Sequence, residues 1–199
     1  MSLNLFGKLA GTALLAGSLT ACIDVDIDVA ITSATTARAT MTQTMGADFY
    51  AMVKMGEESS ESSADSFCAE GTISENADGS ATCVMIEEGP FADLDLGQDE
   101  GGISFTEAGP GLVRVALPTA DMKTELGVEE SMDAETKQMV EAFFTGRNII
   151  VSIGGAEVVE TNMTLAGDKK SASQIIPMLD LINGTLALPD EIFAVVRAP

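Results

Sequence analysis

Three cysteines carry the clearest chemistry of this chain, because the other residues a reactive site needs are scarce. Histidine is absent, which removes serine–histidine triads, histidine general bases and histidine-ligated zinc or iron. Tryptophan is absent and Tyr50 is the single tyrosine, a poor supply for stacking on sugar rings. The 31 acidic residues guarantee chance carboxylate pairs, so spacing gives no support to a two-carboxylate glycosidase. Gly101-Gly102 and Gly154-Gly155 lack the Lys-Ser/Thr or helix context of a phosphate loop. The expectation is a non-catalytic protein with no cofactor and no metal.

Two patterns come near a metal site. Asp24, Asp26 and Asp28 copy the first spacing of a calcium-binding EF-hand loop, but Val29 occupies the place of its sharp-turn glycine and Thr35 that of its bidentate glutamate. On a strand such carboxylates line one face about 7 Å apart, which reads as a solvated row. Met41 and Met45, then Met52 and Met55, offer soft thioethers of the kind that hold copper(I). With no histidine or cysteine beside them, they fit core filling or an adaptable apolar groove better.

The start of the chain explains the first cysteine. Lys8 precedes an apolar run from Leu9 to Leu19 broken by small residues. That is the build of a secretory signal peptide, too short to span a bilayer and closed by small residues where a peptidase cuts. Leu19-Thr20-Ala21-Cys22 resembles the lipobox of bacterial lipoproteins. The resemblance implies that residues 1–21 are removed, and that Cys22 carries a diacylglyceryl thioether and an acylated amine. The membrane is then the first partner expected. The plain alternative is an ordinary signal with a coincidental cysteine. Residues 22–199 are expected to form one lipid-anchored extracytoplasmic domain, and no later apolar run approaches 18 residues. The net charge of −21 argues against nucleic acid and against adhesion to anionic headgroups, which leaves attachment to the acyl chains. Ile23 stands where the enterobacterial sorting rule places a retention aspartate, which favours the outer membrane, facing the periplasm.

The elements that must position these residues are short. Ile23, Val25, Ile27, Val29 and Ile31 alternate with Asp24, Asp26, Asp28 and Ala30, the strongest strand signal in the chain. A polar turn at 33–36 leads to a threonine-rich second strand over 37–45, antiparallel to the first. Phe49, Met52 and Val53 fall at helical spacing, with Gly56 as a stop. An acidic serine-rich loop at about 57–66 has nothing to bury and reads as mobile. Cys68 and Cys83, in an oxidising compartment, flank a turn at Asn76-Ala77-Asp78-Gly79 and are expected to bridge a hairpin. A further hairpin surrounds Gly109-Pro110-Gly111. Ser131 to Phe144 reads as the clearest helix, with Gly146 just past its end. Strands over 148–153 and 157–162 surround Gly154-Gly155, and a final one covers 192–196. The sum is an α+β domain, mostly antiparallel, with two or three helices packed on the sheet.

The strand that starts directly after Cys22, together with the late segment Asn148–Asn162, resembles the LppM-type family of bacterial lipoproteins. There the late segment reads as a strand, a Pro-Gly turn, then Val-x-x-x-Asn. This chain has Gly154-Gly155 at the turn and keeps Val158 and Asn162 at matching spacing. It lacks the usual aromatic in the following strand and a C-terminal membrane helix. The resemblance implies an envelope lipoprotein with a sheet-and-helix domain, and members have been linked to lipid or glycolipid binding. Two functions follow as expectations. One is binding of a lipid or other amphiphile in an apolar groove at the membrane surface, lined by Phe49, Met52, Val53, Met139, Phe143 and Phe144. The other is a structural or assembly role through protein contacts.

Overall fold

Nine residues of alternating character make the first strand, β1 (Ile23–Ile31), and everything else is arranged around it. The structure is a computed structural model that describes residues 23–57, 68, 71–94, 96, 102–120, 135, 138, 141–142 and 144–199. Along β1, Val29 and Ile31 are buried and Ile27 packs beside them, while Asp26 and Asp28 point to the other face and stay exposed. β2 (Thr36–Met45) returns antiparallel with Ile23 opposite Met45 and Ile31 opposite Ala37. Each aspartate of β1 therefore faces a threonine: Asp24 with Thr44, Asp26 with Thr42 and Asp28 with Thr40. Loss of solvent around its carboxyl, flanked by the neighbouring strands, raises Asp28 above its ordinary value.

The remaining elements are α1 (Ala47–Glu57), β3 (Thr72–Glu75), β4 (Ala81–Pro90), a 3-10 turn at Phe91–Asp93, β5 (Ser104–Gly109), β6 (Leu112–Pro118), β7 (Asn148–Gly154), β8 (Glu157–Thr161), β9 (Thr164–Leu165), β10 (Ser171–Pro177), α2 (Met178–Ile182) and β11 (Glu191–Arg197). They form a seven-stranded sheet in the order β3-β4-β2-β1-β7-β10-β9 and a four-stranded sheet in the order β5-β6-β11-β8. β1 is thus the central strand of the larger sheet. The sheets share one core, in which Val29, Ile31, Val151, Ile153, Ala172 and Ile176 meet Val113, Val115, Val158, Ile192, Ala194 and Val196. Strands with one apolar face each must bury it this way.

Two expectations need correction. The sheets are mixed rather than simply antiparallel: β1 and β7 run parallel, Val25 opposite Ile149 through Ala30 opposite Gly154. That pairing is non-local, so no turn signal announces it. The fold is also more β than α+β suggests, since among the described residues the named helices are α1 and the five-residue α2. Most of the expected helix at 131–144 lies outside the described residues. Its end is visible: Glu141, Ala142 and Phe144 are helical, the Thr145 N–H donates to the Glu141 carbonyl at 3.0 Å, and Gly146 adopts φ +78°. The two strands read around Gly154-Gly155 are both present, and that pair carries the chain from the larger sheet to the smaller.

The late Val-x-x-x-Asn spacing has a structural basis here. Val158 is buried in the core. Asn162, just past β8, donates from Nδ2 to the Glu191 carbonyl at 2.8 Å and accepts the Phe193 N–H on Oδ1 at 2.8 Å. One side chain thus supplies a ladder rung beside β11. Asn162→Ala should lower stability by about 1 kcal/mol, because solvent can replace part of the lost pairing at this exposed site. The urea midpoint measures it, and an unchanged midpoint would deny the rung any role.

Candidate functional site

The two ends of β1 carry the features with functional potential, and they differ in kind. At its first end, Ile23 is the first described residue, so Cys22 and the expected signal segment lie outside the described residues. Ile23, Phe49 and Val53 pack around buried Met45, Tyr50 and Ala81, which seats α1 on the inner face of the larger sheet. Of the six residues expected to line a groove, Phe49 and Val53 therefore meet in this cluster. Met52 points away from it and is 45% exposed. Phe144 is half-buried at its helix end, and Met139 and Phe143 lie outside the described residues.

Charge and covalent links hold this end together. The Tyr50 hydroxyl donates to the Glu75 carboxylate at 3.1 Å and the Lys54 ammonium does so at 2.6 Å. Their hydrogen bonds, Lys54 first, hold the Glu75 carboxyl below the ordinary range. Cys68 and Cys83 form a disulfide with Cα atoms 5.6 Å apart, as the sequence predicts. The turn between them also matches: Gly79 takes φ +86°, and the Asp78 carboxylate accepts from the Ser80 N–H at 3.0 Å. Asp24 accepts from Arg147 at 2.7 Å and from the Asn148 N–H at 3.1 Å, fastening the start of β1 to the start of β7. Of the four expected thioethers, Met45 is buried, Met41 is half-buried, and Met52 and Met55 lie on the exposed side of α1.

The opposite end of β1 holds a cavity of about 320 Å³, open to solvent. Thr35 from the β1–β2 turn, Phe91, Phe105, Glu107, Leu112 and Val113 are among its lining residues. The Phe91 and Phe105 rings stack with centroids 4.5 Å apart, and the Phe91 N–H donates to the Thr35 carbonyl at 3.1 Å. At about 3.3 Å per residue, nine residues of β1 put this cavity roughly 26 Å from Ile23. Sequence reasoning missed it because its walls come from three remote segments. An isolated phenylalanine just after a strand was the available signal.

A polar cover lies on the outer face of the smaller sheet. Arg114 donates from both terminal nitrogens to Glu191, one bond at 3.3 Å, and its guanidinium lies 4.4 Å over the Phe193 ring. The Arg114 hydrogen bonds hold the Glu191 carboxyl below its ordinary value of 4.5, and Arg114 is raised in turn. A depressed carboxyl stabilises above its unfolded-state value and loses that contribution as pH falls through the folded-state value. For so exposed a pair we expect about 0.5 kcal/mol. Thermal scans in acid should show a flatter pH dependence in Arg114→Ala than in the wild type; parallel curves would contradict the pairing.

Among the described residues, no helix is long and apolar enough to cross a membrane. No protein-family model matches the chain, and no curated protein matches it significantly. Among solved structures the chain is similar to the folded domain of LppM from Mycobacterium tuberculosis, determined by NMR, with 12% identity, a TM-score of 0.47, and coverage of 88% of this chain and 90% of that one.

Proposed function

We propose that the chain is a non-catalytic lipoprotein of the cell envelope, anchored through Cys22, whose domain binds the apolar part of a lipid or other amphiphile. The observation that carries this reading is the attachment of the anchor residue, with no linker, to the central strand of the larger sheet. A two-chain anchor holds a protein stably, at about 0.8 kcal/mol per buried methylene. With β1 starting at the next residue, the domain is seated on the bilayer rather than tethered at a distance. The outer membrane, facing the periplasm, is the proposed location.

The ligand part of the reading rests on the distal cavity. Its volume lies at the lower end of the 300–1,000 Å³ usual for small-molecule sites, so it suits one ring or a short acyl segment next to the stacked Phe91 and Phe105. That end of β1 faces away from the anchor, which makes the cavity a place to hold an amphiphile out of the bilayer. An assembly role is the second reading. Its support is two single exposed side chains, Ile86 on β4 and Ile175 on β10, which three intervening strands keep apart.

Cys22→Ser tests the anchor. The wild-type chain should sediment with membranes, resist high salt and take up a labelled fatty acid, whereas the variant should take up none. A variant labelled as strongly as the wild type would refute the anchor. Native mass spectrometry of the detergent-extracted wild type then tests the ligand: an amphiphile-sized adduct, lost in Phe105→Ala, is expected. A bare mass under mild conditions would leave the assembly role.

A further inference from the structure

We infer that α1 is a membrane-contact element, its outward Met52 and Met55 resting in the headgroup layer of the bilayer that holds Cys22. This rests on the anchor proposed above and goes beyond it, since an anchor alone does not say which surface of the domain touches lipid. The chain geometry does. Ile23 follows the anchor residue directly, and its strand partner is Met45. α1 begins two residues after Met45, and its Phe49 and Val53 pack against the same buried Met45, Tyr50 and Ala81 that Ile23 packs against. A helix lying against the first residue after the anchor is within about one helix diameter, roughly 10 Å, of the lipid surface.

The faces of α1 then decide what it presents. Phe49, Tyr50 and Val53 point into the protein, and at 3.6 residues per turn Met55 stands opposite them, with Ala51 beside it, Met52 on the flank and the exposed Asp48 one turn before Met52 on the same face. Met55 is 67% exposed and Met52 45%. Two large flexible apolar side chains in water on one short helix fit an interfacial depth of roughly 5–10 Å, where methionine adapts to a disordered apolar layer. Lys54 on the same helix is held by Glu75, and with a net charge of −21 the chain has no general attraction to anionic headgroups. The contact is therefore made by the two methionines with the Asp48 carboxylate between them, and zwitterionic lipid, whose choline group can face that carboxylate at headgroup depth, is its natural partner.

Because the chain has no tryptophan, one introduced indole reports its own surroundings without background. The lipidated full-length protein carrying Met55→Trp, extracted from membranes and reconstituted into phosphatidylcholine vesicles, should show blue-shifted emission. Phosphatidylcholine brominated near the headgroup should quench it several-fold more strongly than the same protein carrying Val159→Trp, a 42% exposed site on β8. Met52→Trp provides a second reporter on the same side should position 55 not tolerate the ring. Vesicle-bound, lipidated protein with water-like, unquenched emission at both positions overturns the inference and leaves the anchor standing. A chain whose mass lacks the diacylglyceryl group overturns the anchor and the inference together.

Discussion

Cys68→Ala should lower the stability of the domain by about 3 kcal/mol, the loop-closure value for a bridge spanning fifteen residues. The reason lies in how little else holds β3. Its four residues, Thr72 to Glu75, are all exposed. Among the described residues they pair with β4, from Thr72 opposite Val84 to Glu75 opposite Ala81. The bridge at Cys68, just upstream, and the Tyr50 and Lys54 bonds to Glu75 add to that ladder. Cys83 is fully buried, so its remaining thiol stays packed as a small apolar group when Cys68 is replaced. Urea unfolding of the oxidised wild type, the reduced wild type and Cys68→Ala should place the last two together, well below the first. Amides of β3 should exchange fastest, ahead of β1 and β7. Equal midpoints in all three samples would contradict the expectation.

Gly155→Ala should be the second severe change, costing about 1–3 kcal/mol as an overpacked crossing. A Cβ there would stand 2.5 Å from the Val196 Cγ1, 3.1 Å from the Arg197 carbonyl and 3.5 Å from the Ile31 Cβ. The valine is β-branched and stiff, and the other neighbours belong to or adjoin backbone, so none gives way cheaply. The glycine cannot retreat, because its N–H donates to the Lys170 carbonyl at 3.0 Å and the next N–H to Arg197 at 3.1 Å. The close approach is what lets the chain pass between the sheets in one step. Gly167→Ala is the control, since no atom lies within 4 Å of its would-be Cβ. Thermal unfolding should separate the two variants clearly, and equal melting temperatures would mean the crossing relaxes.

What the sequence made legible was local. Period-two alternation located β1 at 23–31, and the threonine-rich return was placed at 37–45 against an observed Thr36–Met45. The turns at Asp78-Gly79 and Gly109-Pro110-Gly111 and the disulfide followed from glycine, proline and cysteine chemistry, and the last strand from its apolar run at 192–196. What remained hidden depends on pairing between distant segments. β10 reads Ser-Ala-Ser-Gln-Ile-Ile-Pro, with neither alternation nor a β-branched majority, and becomes a strand because β7 offers a ladder from Gly154 to Asn148. The parallel β1–β7 pair and the split of β7 and β8 between sheets have no local signature either. Helical spacing placed Phe49 and Val53 on one side of α1, and both pack on one cluster. It also placed Met52 with them, although a residue three positions on from Phe49 can sit at the margin of the buried face. The cavity needed Phe91, Phe105 and Thr35 to be brought together by two sheets, which no window of sequence contains.

The lipid on Cys22 is the claim on which location, seating and membrane contact all depend. The chain should be extracted from the membranes of its producing cells and its N-terminal peptide weighed. A peptide that begins at Cys22 and carries the mass of a diacylglyceryl group, with a fatty acyl group on the amine, is the predicted result. An unmodified N-terminus, at Cys22 or elsewhere, would contradict it.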